Sequence, residues 1–300
     1  MFDRTDIASL ELSLIHSGPI PSLHLPAVEA QVNFLKPQPG RPQIHVEPIG
    51  SFSRDDGGVR YAVELEPRTV EILDIRPIAE QLTLAENGFT LVRSSSAVAD
   101  FTDEAEVRAR FYPEVEALLK ARTGASEVVI FDHTVRIEGG GATGARVPVR
   151  RAHGDYTPRS GPQRVRDLLP ADRAADWLRG RFGIVNLWRP FGGPVEMAPL
   201  AIVDGGSLDP ADLVPTDLVY RDRVGEVFSL TWSPGQRWLY VPDMTPEEAL
   251  LIKTYDSDPD APVRYVPHTA FDDPDTRPGA APRRSIEVRA LVRLDEGSSF

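Results

Sequence analysis

The chain has 300 residues, is 41% hydrophobic and 26% charged, and carries a formal net charge of -12. An acidic surface of that size argues against a nucleic-acid backbone or an anionic membrane as partner, since both recruit basic residues. With no cysteine in the chain, disulfides, thiolate metal sites, iron–sulfur clusters and a cysteine nucleophile are excluded, so any metal must be held by His, Asp or Glu. The first 17 residues contain Asp3, Arg4, Asp6 and Glu11 and lack the apolar run of a signal peptide. No uncharged apolar stretch approaches the roughly 18 residues of a membrane span. The expectation is a cytoplasmic protein; a homodimer is compatible with the sequence.

Residues 1–100 read as an N-terminal section of strands and loops packed on a core formed by residues 101–300, probed first by the extended patterning of 43–47, 60–65 and 69–75. Residues 101–121 predict a helix: Thr102 and Asp103 can cap it, and Val107, Phe111, Val115 and Leu118 recur at helical spacing. Pro113 falls inside that pattern and is a point where it can break. Residues 127–137 predict a strand rich in Val and Ile, followed by a Gly-rich segment at 139–144. Residues 163–181 predict a helix. Short β-type runs then follow at 183–188, 200–204, 217–220, 226–232, 237–241, 250–255 and 285–292, separated by Pro, Gly and Asp. Many short strands at such spacing predict a sandwich or barrel rather than a doubly wound sheet. The expected class is mostly β with flanking helices, an α+β chain with a jelly-roll, cupin-like core.

Six histidines are present, and two of them stand in suggestive settings. His153 and Asp155 are separated by Gly154, and on a strand residues i and i+2 share a face. Two ligands of different type thus converge, with a glycine between them that permits a close approach or a bend. His268 can supply a third. Two His and one carboxylate on one side of a metal leave three positions open, which suits non-haem Fe(II) that must bind O2 together with a second ligand. The pair alone is a weak signal and suits a surface turn better, with Asp155 capping a neighbour and His153 solvated. Further on, Arg283 and Ser285 share a face in an extended segment. A guanidinium fork beside a hydroxyl is a receptor for a carboxylate, such as the distal end of a 2-oxoacid that chelates iron. Arg289 lies on that face too, with a salt bridge to Glu287 as its structural alternative; Arg283 is favoured, and Arg284 should face away.

Nine blocks in one order carry a family resemblance: Phe131-Asp-His-Thr-Val-Arg136, His153-Gly-Asp-Tyr156, Asn186-Leu-Trp-Arg-Pro190, Pro199-Leu-Ala-Ile-Val-Asp204, Asp217-Leu-Val-Tyr220, Trp238-Leu-Tyr-Val-Pro-Asp-Met244, Leu251-Ile-Lys-Thr-Tyr-Asp-Ser257, Pro267-His-Thr-Ala-Phe271 with Asp273-Pro274, and Pro282-Arg-Arg-Ser-Ile-Glu-Val-Arg289. In these the chain resembles the family of fungal gibberellin desaturases, the small component of cephamycin 7-alpha-methoxylase and the AsaB-type hydroxylase/desaturases. The resemblance implies a double-stranded β-helix and oxidation dependent on Fe(II), 2-oxoglutarate and O2, acting on a secondary metabolite or another small molecule. It places His153, Asp155 and His268 on the iron ligands and Arg283 with Ser285 on the co-substrate clamp. The chain departs from the family's usual bulkier residue at 154 and its frequent Gln at 156, where it has Gly154 and Tyr156. It also has Arg284 where an acid is common.

Further candidates have two readings each. Asn186 can face the co-substrate or an iron-bound oxygen, or end a strand with a hydrogen bond. Arg189 can line the substrate pocket or form a surface ion pair. Trp188 suits the pocket wall or the core, and Tyr156 is placed in the substrate pocket, whose shape it would change. His133 can line the pocket or be a satisfied structural histidine. Asp256 is a rival carboxylate without a His at close spacing, and Lys253 reads as structural. His16, His24 and His45 read as ordinary. Two other functions use the same residues: a cupin-like metal enzyme that keeps the triad without 2-oxoglutarate and does not need Arg283, or a non-catalytic partner in a two-protein oxygenase.

Overall fold

In the computed structural model, residues 25–46, 59–140, 145–295 and 300 are described, so His16 and His24 lie outside the described residues. The N-terminal strand β1 (Ala27–Leu35) alternates, with Val28, Ala30, Val32 and Phe34 buried between exposed Glu29 and Gln31. That period of two is what one solvated face and one buried face require. It pairs antiparallel with β4 (Leu65–Asp74). Next come β2 (Gln43–Val46) and β3 (Val59–Tyr61), a short antiparallel pair. After β5 (Phe89–Arg93) comes a helical stretch in three pieces: α1 (Glu104–Glu106), a π-helical turn (Val107–Phe111) and α2 (Tyr112–Thr123).

Asp103 caps that stretch, accepting from the amides of Ala105 and Glu106 at 2.9 and 3.3 Å. Pro113, which has no N–H to donate, follows directly on the π turn, where the helix changes its hydrogen-bonding pattern, and that turn is the break it marks. Gly124, at φ +66°, ends the helix. The predicted helix over 163–181 is instead two: α3 (Ser160–Leu168) and α4 (Ala171–Trp177). Pro170 separates them, and Leu169 before it is extended (φ -110°, ψ 147°), as a residue preceding proline prefers. Gly161 in α3 lies so close to the Tyr255 ring that a Cβ there would come within 2.6 Å of it.

The remaining strands are β6 (Glu127–Ile137), β7 (His153–Gly154), β8 (Arg181–Pro190), β9 (Leu200–Val203), β10 (Leu213–Val219), β11 (Val224–Leu230), β12 (Trp238–Tyr240), β13 (Glu248–Asp256), β14 (His268–Ala270) and β15 (Arg284–Leu294). One sheet runs β1-β4-β12-β9-β14-β7-β11-β10-β2-β3, and a second runs β5-β13-β8-β15-β6. The two face each other as a jelly roll. Inward side chains of β8 and β15, such as Ile184 and Leu291, share a core with Val32, Phe34, Ala201 and Trp238 of the larger sheet. The outer face of the smaller sheet (Val185, Leu187, Leu251, Ile286, Val288) is covered by Val107, Phe111, Val115 and Leu119 of the helical stretch. Each such fully buried aliphatic or aromatic side chain is worth about 1.5–3 kcal/mol, so this face is closed by hydrophobic burial rather than helix propensity. The N-terminal strands extend the larger sheet through β4 against β12, and β5 edges the smaller one.

Candidate metal and co-substrate site

Three short stretches build the site. In the larger sheet, β7 lies between β11 and β14, and His153 is directly opposite His268 in the register. That pairing brings the two imidazoles to 4.8 Å between ring centroids. Asp155, two residues beyond His153, returns to the same face, with Oδ1 3.7 Å from His153 Nε2. One ligand atom from each of His153, Asp155 and His268 lies within 4.8 Å of the others. Gly154 is not forced by space: a Cβ there would touch Phe228 at an ordinary 3.5 Å.

The imidazoles are oriented by their own backbone. His153 Nδ1 is 2.8 Å from the Arg151 carbonyl and His268 Nδ1 3.2 Å from the Val266 carbonyl. A carbonyl only accepts, so both Nδ1 atoms carry a hydrogen, and Nε2 is the atom of each ring left to hold a metal. Burial, and then the neighbouring His268, hold the His153 pKa well below the usual imidazole value, which keeps it a neutral ligand. Asn186, on the inner face of β8, reaches across from the other sheet. Its Nδ2 donates to Asp155 Oδ2 at 2.6 Å and to Glu287 Oε1 at 2.9 Å. One carboxylate oxygen is thus occupied and the other is left for the triad. Two neutral imidazoles and one carboxylate on one side fit a divalent first-row metal with open positions. Replacing Asn186 by Leu is expected to lower metal affinity by about 10–100-fold, the usual cost of an outer partner, with the fold intact; titration with Fe(II) or Mn(II) checks it.

A small cavity of about 40 Å³ abuts the triad, lined among others by Trp188, Arg283 and Glu287. Arg283 is 2% exposed. Its guanidinium stands 5.4 Å over the Trp188 ring, and Nη1 donates to the Ala198 carbonyl. It forms no ion pair with a carboxylate among the described residues. Its Nε and the Ser285 Oγ are buried without a hydrogen-bond partner. Burial pushes its pKa down to about 9, with the nearby Arg136 adding to the effect. A buried cation without a counter-ion is costly, and these orphaned donors beside the triad are the chemistry that a carboxylate would complete.

Arg289 shares the inner face of β15 but is already satisfied. Nε donates to Asp132 Oδ1 at 2.6 Å, Nη2 donates to Thr134 Oγ1 at 2.9 Å, and Glu287 lies 3.9 Å away. These acids outweigh burial and raise its pKa. Arg284 faces the other side, over Phe191. The small cavity shares Arg136, Asp155 and Arg289 with a second cavity of about 690 Å³, which Tyr156 also lines.

One pocket candidate falls elsewhere, and a second has a structural partner as well as a place in the larger cavity. Arg189 sits on the outer face of β8, over the Phe101 and Phe111 rings at 5.5 Å each, and donates to the Pro246 carbonyl. It is three residues from Asn186, and odd spacing on a strand reverses the face. His133 pairs across the ladder with the outward-facing Val288 and its Nδ1 is 2.9 Å from the Tyr112 hydroxyl, and it also lines the larger cavity. Asp256 is bound by Arg181 at 2.8 Å and Lys253 at 3.3 Å and takes no part in the triad. Glu287 was legible only as a partner for Arg289; its parity with Arg283 and Ser285 is the signal that places it in the site.

The family model described as "Oxidoreductase/YMDC permease-like domain" matches residues 32–293. Among curated proteins, the chain is 31% identical to "Alpha-ketoglutarate-dependent dioxygenase tstK" of Talaromyces stipitatus, over 79% of this chain and 90% of that protein. It is 33% identical to "Hydroxylase/desaturase efuI" of Hormonema carpetanum, over 79% and 86% respectively. The solved "iron and alpha-ketoglutarate-dependent endoperoxidase NvfI" superposes with a TM-score of 0.79 at 30% identity, covering 89% of this chain and 98% of that one. By fold and sequence together, the chain belongs to the family of Fe(II)- and 2-oxoglutarate-dependent dioxygenases and hydroxylase/desaturases.

Proposed function

We propose that His153 and His268 hold Fe(II) through Nε2 and Asp155 through Oδ1, that Arg283 and Ser285 receive the distal carboxylate of 2-oxoglutarate, and that a small molecule in the larger cavity is oxidised beside them. The observation that carries this reading is the buried, unpaired guanidinium of Arg283 across a small cavity from three converging ligand atoms. Fe(II) with 2-oxoglutarate and O2 supplies an oxidant able to take hydrogen from a C–H bond, with succinate and CO2 as the co-products. The protein's part is placement and shielding. The backbone carbonyls of Arg151 and Val266 fix the imidazole tautomers, Asn186 fixes the Asp155 carboxylate, and Trp188 walls the co-substrate side.

The relatives' names include dioxygenase, hydroxylase/desaturase and endoperoxidase, and the outcome on this chain's substrate follows from how that substrate sits. A metal enzyme without 2-oxoglutarate would leave Arg283 an uncompensated cost, and a non-catalytic partner would have no need of three oriented ligands. No helix among the described residues is long and apolar enough to cross a membrane; a cytoplasmic location is part of the same proposal.

The test is optical. Protein mixed anaerobically with Fe(II) and 2-oxoglutarate is expected to develop the weak visible charge-transfer band of an iron-bound 2-oxoacid. The band should vanish in His153→Ala. An iron-loaded wild-type protein that shows no band with 2-oxoglutarate would sink the reading.

A further inference from the structure

The larger cavity carries charge that runs against the rest of the molecule. The chain is acidic, at -12, yet the acids lining this cavity are mostly taken up. Glu104 pairs with Arg108 at 2.8 Å, Asp132 with Arg289 at 2.6 Å, and Glu226 with Arg41, while Asp155 belongs to the triad. Asp167 accepts from Gln163 at 2.8 Å.

Three lining arginines, Arg136, Arg146 and Arg164, form no ion pair with an acid among the described residues. Arg164 on α3 stands 5.4 Å over the Phe131 ring, and its Nε is buried without a hydrogen-bond partner. Among the described residues, Arg136 donates to the Val147 carbonyl alone, at 2.9 Å. Arg136 and Arg146 are bridge partners at the edge of the smaller sheet, so two like charges lie side by side and disfavour one another. Arg146 is exposed, so water screens part of this repulsion, and an anion seated between the two would remove the rest. Phe131, Tyr156, Leu218 and Val227 supply apolar surface around or beside the same space.

We propose that the substrate is a small molecule with an apolar body and a carboxylate, the carboxylate being received by Arg146 and Arg164 and the other end directed past Arg136 toward Asp155. This rests on the iron and 2-oxoglutarate reading above, since it assigns the larger cavity to substrate. A guanidinium binds a carboxylate through a planar pair of N–H donors, which an uncharged amide of the same shape cannot match.

The probes are 1-naphthylacetate and its neutral counterpart 1-naphthylacetamide, titrated calorimetrically into anaerobic protein loaded with Fe(II) and saturating 2-oxoglutarate. The acid is expected to bind about tenfold more tightly than the amide or better, and to weaken with added salt. The double variant Arg146→Gln/Arg164→Gln should lose that preference. Arg179→Gln, which removes one exposed charge outside the cavity, should keep it. Equal affinity for acid and amide, a preference that survives in the double variant, or no saturable binding of the acid up to millimolar concentration would each overturn the proposal. The charge-transfer band is recorded before each titration. A normal band with no acid preference overturns this inference alone. A missing band overturns the cofactor reading, and the acid preference is then still decided by the variants.

Discussion

Asp155→Ala is expected to abolish stoichiometric iron binding and, with it, conversion of 2-oxoglutarate to succinate. The physical reason is charge. His153 and His268 present two neutral Nε2 atoms, and Asp155 is the one formal negative charge among the three converging ligands. Removing it leaves a divalent ion with no anionic donor from the triad. The loss should therefore exceed the about 10–100-fold expected for an outer partner such as Asn186. The fold should survive, because Asp155 lies just beyond β7 and its side chain is not part of the apolar core. Asn186 keeps Glu287 Oε1 as an acceptor at 2.9 Å. The measurements are iron content after anaerobic loading and desalting, succinate formation, and the urea midpoint. An Asp155→Ala protein that retained one tightly held iron would remove Asp155 from the ligand set.

Arg283→Met is expected to divide stability from function. In the metal-free protein the guanidinium is buried over Trp188 with Nε unsatisfied. Exchanging a buried, unpaired cation for an apolar side chain of similar length should raise unfolding free energy by about 1–4 kcal/mol, tempered by the hydrogen bond lost at the Ala198 carbonyl. The same exchange removes the charged half of the proposed carboxylate clamp. Hydrogen bonds to charged groups are worth roughly 1.5–3 kcal/mol each, so losing two should weaken 2-oxoglutarate by about 100-fold or more. Iron affinity should hold, since Arg283 is not among the converging ligands. Urea unfolding of the metal-free protein, paired with 2-oxoglutarate titration of the charge-transfer band, reads both effects. A less stable variant with unchanged 2-oxoglutarate affinity would make Arg283 a structural residue. Saturating 2-oxoglutarate should also raise the melting temperature of iron-loaded wild type more than that of the variant.

Much of the candidate site was legible because it follows a local rule. His153 and Asp155 are two apart, and Arg283, Ser285, Glu287 and Arg289 are successive alternate residues, so strand geometry alone puts each set on one face. The same rule, applied from Asn186, would have turned Arg189 away, and β1 would have been found from the alternation of Val28, Ala30, Val32 and Phe34. Pro170 between two short helices was equally readable. β14, three residues long, has too little pattern to announce itself, and only its pairing with β7 and β9 defines it. Mostly β architecture, the absence of cysteine chemistry, and the residue types available to hold a metal were determined by composition and short-range pattern. Tertiary structure alone decided which arginine is free. Arg289 is neutralised by Asp132 on the neighbouring strand β6, while no acid forms an ion pair with Arg283 among the described residues. It also decided that Asn186 would bridge the two sheets to Asp155. These outcomes depend on which strands become neighbours, and that is set by how the two sheets bury their apolar faces together rather than by any residue's own surroundings in the chain.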